Sequence, residues 1–123
     1  MKKKRILIAE DNLINQKVAM LMLKKLDQII DLAENGSVAV EKFRRETYDL
    51  VLMDLHMPEL DGFEATMQIR EIEQEENRPV KVKIYAMTAS SLHDESENCL
   101  KAGMDGYLGK PFRNEDVIAL LAG

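Results

Sequence analysis

Short apolar runs punctuate the chain, and longer stretches of mixed apolar and polar residues separate them. The runs are Ile6 to Ala9, Ile29 to Ala33, Leu50 to Met53, Val82 to Met87 and a short Gly106 to Leu108. Apolar runs of this length bounded by turn-forming residues predict strands buried on both faces. The stretches between them carry helix-start signals. Asn12 caps a predicted helix over about Leu13 to Leu26, and Asn35-Gly36-Ser37 opens one over about Val38 to Glu46. Asp61-Gly62-Phe63-Glu64 has capping-box spacing and opens a helix to about Glu75. Ser91-Leu92-His93-Asp94 repeats that spacing and opens a helix ending before Gly103, and Asn114 opens the last, to about Leu121. Strand followed by helix, five times over, implies an α/β fold: one doubly wound parallel sheet with helices on both faces.

With 123 residues the chain is predicted to form one domain, over 1–123. Apolar residues at 46% and charged residues at 32% suit a folded chain with its own core. The 22 acids against 17 bases, a formal net charge of −5, argue against direct nucleic-acid binding, which needs a basic footprint. No apolar run approaches the about 18 residues of a membrane span. The basic start Lys2-Lys3-Lys4-Arg5 is followed by too short an apolar run for a signal peptide, so a cytoplasmic location is expected. The single cysteine, Cys99, excludes an intramolecular disulfide and reads as a small buried residue. Glu71 to Arg78 (EIEQEENR) reads as a solvated helix end and loop. His56 and His93 are not paired at metal-ligand spacing, and the methionines read as packing residues.

In an open α/β sheet, ligands bind beyond the carboxyl ends of the strands. Glu10 and Asp11 follow the first predicted strand, Asp54 the third, Thr88 the fourth and Lys110 the fifth. Taken alone, Asp11 reads as an acid at a helix start and Asp54 as the opening of the Met57-Pro58 turn. Thr88 alone is an ordinary strand residue, and Lys110 alone a solvated lysine. The parallel sheet brings the whole set to one rim, and that convergence singles it out. Gathered carboxylates repel by about 4 kcal/mol per pair at 4 Å and an effective dielectric near 20. Such a group protonates or recruits a cation. Oxygen ligands without thiols suit a hard ion, and Mg2+ fits because it retains waters and accepts one or two carboxylates plus phosphate oxygens. A cation, an ammonium and a hydroxyl around one carboxylate form a receptor for a phosphoryl group. Asp54, alone at the end of the central apolar run, is the candidate nucleophile.

The motifs Ile8-Ala9-Glu10-Asp11-Asn12, Met53-Asp54-Leu55-His56-Met57-Pro58-Glu59-Leu60-Asp61-Gly62, Met87-Thr88-Ala89 and Tyr107-Leu108-Gly109-Lys110-Pro111-Phe112 resemble, in order and across the whole chain, a response-regulator receiver domain. The resemblance implies a flavodoxin-like (βα)5 fold with strand order 2-1-3-4-5, and a phosphoacceptor function in two-component signalling rather than a free-standing enzyme. It implies that Asp54 takes a phosphoryl group from a phosphohistidine on a histidine kinase or histidine phosphotransfer domain. It makes Asp11, Asp54 and the main-chain carbonyl of His56 the Mg2+ ligands. Glu10 stands where many members carry Asp, and its longer reach leaves direct ligation and ligation through water both open. Thr88 and Lys110 would hold phosphoryl oxygens, Tyr107 would change rotamer with Thr88, and Lys110-Pro111 would be cis. His56 and Ser90 flank the route of a hydrolytic water and would tune the phosphoryl lifetime. Glu10-Asp11-Asn12-Leu13-Ile14-Asn15-Gln16 resembles most the receivers of hybrid histidine kinases, while Met1 suits a stand-alone regulator acting on a downstream partner.

On the first predicted helix, a wheel at 100° per residue turns Asn15, Ala19, Met22 and Leu26 to the sheet, flanked by Val18 and Leu23. Leu13, Ile14, Met20 and Leu21 stand off that face among Lys17 and Lys24. Ile14 and Leu21 are therefore candidate docking residues for a partner helix. Three other readings compete. A flavin or nucleotide module needs a Gly/Ser/Thr-rich loop after the first strand, where this chain has Glu10 and Asp11. A phosphatase of the haloacid-dehalogenase type needs a second acid two residues after Asp54, where this chain has His56. A receiver-like module that is never phosphorylated does not account for the full acceptor set.

Overall fold

The computed structural model describes residues 3–88, 92–109 and 113–122, without the side chains of 92–96 and 122. Five strands and five helices alternate: β1 (Arg5–Ala9), α1 (Leu13–Lys24), β2 (Ile29–Ala33), α2 (Gly36–Arg45), β3 (Leu50–Asp54), α3 (Gly62–Glu75), β4 (Lys83–Thr88), α4 (Leu92–Ala102), β5 (Gly106–Gly109) and α5 (Asn114–Ala122). All strand pairs are parallel, in the order β2-β1-β3-β4-β5. The pleat sorts the core. Leu7, Ala9, Val51, Met53, Ile84 and Ala86 pack with residues of α2, α3 and α4, including Phe43, Ile69 and Cys99. Ile6, Ile8, Leu50, Leu52 and Met87 face the other way, onto Ala19 and Leu23 of α1 and Val117 and Leu121 of α5. Burial on both faces is why the central runs read as continuous apolar segments and not as alternating ones. The edge strands differ: β2 has only Ala33 buried, and β5 alternates half-buried with exposed residues.

Three predicted caps form as expected. The Oδ1 atoms of Asn12, Asn35 and Asp61 accept the N–H of Asn15, Val38 and Glu64 at 3.0, 2.8 and 2.9 Å. The expected Ser91 start lies outside the described residues. Before α5 the cap moves one residue back: Arg113 N–H donates to Asp116 Oδ2 at 2.9 Å and Asn114 is already helical. The first helix ends at Lys24, before the predicted Leu26. Leu26 and Asp27 donate to Leu23 and Lys24 in a tight last turn, and Asp27 takes φ +55°. β4 begins after Val82, because the Val82 N–H goes to the Glu73 carboxylate at 2.6 Å and not to a neighbouring strand.

Two expectations are corrected. Leu23, expected at the flank of the first helix, is its most buried residue, and Asn15 is exposed. The wheel sets residues relative to one another but not the side that meets the sheet. Asn15 sits beside the residue that follows β1, and its side chain turns to that rim. Met20, placed off the sheet face, is half-buried. The EIEQEENR run is only partly solvated. Glu73 is buried, with Arg70 Nη1 at 2.8 Å from its Oε1. The Arg78 guanidinium stacks on Phe43, 4.4 Å from the ring centre, and donates to the Phe43 carbonyl at the end of α2. At the amino end of the sheet, Tyr48 is buried and donates to Asp31 Oδ2 at 2.7 Å. Burial and the Asp31 carboxylate hold its hydroxyl well above the usual tyrosine range, so it remains a donor.

Candidate acidic phosphoryl site

Register assembles the rim. Ala9 pairs with Met53, Asp54 with Met87, and Thr88 with Gly109. Residues just past the ends of β1 and β3 therefore stand side by side. Glu10 continues from β1 with its N–H on the Ala33 carbonyl at 2.9 Å. Glu10, Asp11 and Asp54 each bring a carboxylate oxygen within 4.8 Å of the others. Glu10 is 2% exposed and Asp54 7%, whereas Asp11 is open to solvent. Thr88 is buried at the end of β4. The ring of Tyr107 stands at the surface of β5, 42% exposed. Lys110, Pro111 and Phe112, the Lys110-Pro111 bond and Ser90 lie outside the described residues, as does the side chain of His93.

The donor set fits a hard divalent ion. It is all oxygen. Its three carboxylate oxygens lie within 4.8 Å of one another, close enough to share one cation directly or through its waters. One carboxylate is exposed, which leaves a side open for a second oxygen-bearing group. The His56 N–H donates to Asp54 Oδ1 at 3.2 Å, which fixes the carboxylate against the chain that follows it.

The loop from 55 to 61 is shaped by close backbone approaches. Glu59 adopts φ +68°, and Leu60 N–H closes a three-residue turn onto the Pro58 carbonyl at 2.8 Å. A Cβ on Gly62 would lie 2.3 Å from the Asp54 carbonyl oxygen, and one on Gly36 would lie 2.2 Å from that of Leu60. Only glycine lets α2 and α3 start this close to the loop that follows Asp54. The sequence pattern marks both glycines as helix-start residues, and no local signal encodes this packing role, which only the close approach of distant backbone reveals.

A three-carboxylate cluster at the carboxyl edge of a doubly wound sheet of order 2-1-3-4-5 defines a class of α/β domain suited to phosphoryl chemistry. The comparisons narrow it. The response regulator receiver domain model matches residues 6–122. The chain is 44% identical over 121 residues to hybrid signal transduction histidine kinase B of Dictyostelium discoideum, covering 93% of this chain but only 6% of that relative. Among solved structures, it is similar to the receiver domain of the sensor histidine kinase PA1611 from Pseudomonas aeruginosa, which has a magnesium ion in its active-site cleft. That likeness has 41% identity and a TM-score of 0.85, covering 98% of this chain and 95% of the other. It is also similar to the receiver domain of Ssk1 from Saccharomyces cerevisiae, solved with the histidine phosphotransfer protein Ypd1. There identity is 34% and the TM-score 0.88, over 94% and 84% of the two chains. The chain belongs to the response regulator receiver domain family, the phosphoacceptor modules of two-component signalling. Among the described residues, no helix is long and apolar enough to cross a membrane.

Proposed function

We propose that residues 1–123 act as a cytoplasmic phosphoacceptor domain whose acceptor is Asp54, and which serves as a regulatory partner and not as an enzyme turning over a substrate. The observation that carries the reading is the three-carboxylate cluster with Asp54 buried at the end of the central strand. Asp54 Oδ attacks phosphorus, a P–O bond forms as the P–N bond to the donor imidazole breaks, and the imidazole leaves neutral with a proton taken from solvent on its ring. Asp11, Asp54 and the His56 carbonyl would hold Mg2+, with Glu10 on the ion or on one of its waters. When bound, the ion supplies positive charge against the phosphoryl oxygens. Thr88 and Lys110 take the remaining oxygens, and the new charge of close to −2 draws Thr88 inward. Tyr107, now at the surface, then has room to swing in, which reshapes the face built by α4, β5 and α5 for a downstream partner.

The phosphoryl donor is a histidine kinase or a histidine phosphotransfer domain. Leu13, Ile14 and Leu21 on α1 are 71%, 71% and 66% exposed, an apolar strip next to the acidic site. Polar replacement of Ile14 and Leu21 together is expected to slow transfer from the cognate phosphohistidine protein about ten-fold, the cost of a lost interface anchor. Phosphorylation by a small phosphoramidate should be unchanged. Equal rates from the protein donor would remove α1 as the docking surface.

The reading as a whole is tested by intact-mass measurement of the chain with a small phosphoramidate. One phosphoryl group should add in the presence of Mg2+ and almost none in the presence of a chelator. No gain under either condition would favour an interaction module that is never phosphorylated.

A further inference from the structure

The first turn of α1 holds the acidic site by two amides. Asn15 Nδ2 donates to Glu10 Oε1 at 2.9 Å, and Gln16 Nε2 donates to the Glu10 carbonyl at 2.6 Å. The turn is itself fixed, because Asn12 Oδ1 accepts the Asn15 N–H at 3.0 Å and the Asn12 carbonyl accepts the Gln16 N–H at 2.9 Å. We infer that Asn15 is a positioning residue: it aims the Glu10 carboxylate into the three-acid cluster and thereby sets the affinity of the site for a divalent cation. The inference rests on the cation site of the proposed function.

The physical need is clear from the residue type. Glutamate has one more rotatable bond than aspartate, so the position of its carboxylate depends more on its contacts, of which the Asn15 amide is one. Repulsion from Asp11 and Asp54 would drive the carboxylate out. An amide N–H on one oxygen opposes that repulsion and helps to keep the carboxylate in the cluster. Partners of this kind, one step outside a metal, typically govern affinity by ten-fold or more. Asn15 does this from an exposed helix position with no place in the core, which otherwise gives it no packing role.

The test is Mg2+ titration of the full chain, followed by amide shifts in 15N-edited NMR, for wild type, Asn15→Ala, Glu10→Asp and the double variant. Asn15→Ala keeps the backbone N–H that Asn12 caps, so α1 is expected to stay folded with its shifts outside the first turn unchanged. Its Mg2+ affinity should fall about ten-fold. In the Glu10→Asp background the acid is one methylene too short to reach the amide, so the same substitution should change affinity less than two-fold. An Asn15→Ala affinity within two-fold of wild type overturns the inference. So does an equal loss in both backgrounds, which would mark a general effect on α1. Absence of any Mg2+ response in wild type would instead bring down the cation site itself, and the inference with it.

Discussion

Asp54→Asn is expected to abolish phosphoryl gain, to below detection by intact mass, with a small phosphoramidate and Mg2+ present. The amide keeps the size and planarity of the carboxylate, so the strand end and its packing stay in place. It lacks the anionic oxygen that attacks phosphorus, and it is a poorer ligand for a hard cation. The surrounding geometry gives a second readout. Asp54 shares a 4.8 Å neighbourhood with Glu10 and Asp11, and removing one of three like charges relieves their repulsion. The unfolding midpoint of Asp54→Asn in metal-free buffer should therefore equal or exceed that of wild type, and its rise on adding Mg2+ should shrink. Phosphate retained on the Asp54→Asn variant under native conditions would transfer the acceptor role to another residue.

Arg70→Leu is expected to destabilise the fold by about 3 kcal/mol, measured by urea unfolding, at the low end for breaking a buried ion pair because the guanidinium keeps some solvent contact. Arg70 is a hub between α3, the start of β4 and the turn after α4. Nη1 donates to Glu73 Oε1 and to the Val82 carbonyl, both at 2.8 Å, Nε to the Gly103 carbonyl at 2.9 Å, and Nη2 to Asp105 Oδ2 at 3.0 Å. The acids are also tied to β4: Glu73 Oε2 accepts Val82 N–H at 2.6 Å and Asp105 Oδ2 accepts Ile84 N–H at 2.8 Å. Leucine would leave the Glu73 carboxylate buried without its cation and orphan two carbonyls. Adding Glu73→Gln to Arg70→Leu should cost much less than Glu73→Gln alone, because the charge it removes no longer has a partner. A loss below about 1 kcal/mol for Arg70→Leu would mean that solvent replaces the guanidinium, and that the hub adds little.

The order of elements was legible because burial on both faces leaves an unbroken apolar run, and because Asn12, Asn35 and Asp61 mark helix starts by chemistry that acts over three residues. The candidate site was legible for a related reason. Strands of a parallel sheet end on one side, so acids immediately after Ala9 and at Asp54 had to meet once the strands paired in register.

What stayed hidden depends on distances that no local pattern encodes. Glu73 and Arg78 sit in a run that looks solvated, yet one is buried against Arg70 and the other lies on Phe43, 35 residues away in the chain. Gly36 and Gly62 look like ordinary helix-start glycines, and only the approach of the Leu60 and Asp54 carbonyls shows why a Cβ is excluded. Asn15 could be placed on a wheel, but the side of the wheel that meets the sheet is set by how Leu23 seats among Ile6, Ile8 and Val117. Local propensity and hydrophobic period therefore settled which segments are strands and helices, and which acids share an edge. Packing of those segments decided which charges are buried, which amide reaches Glu10 and where the backbone approaches too closely for a side chain, because these are properties of surfaces brought together and not of any one segment.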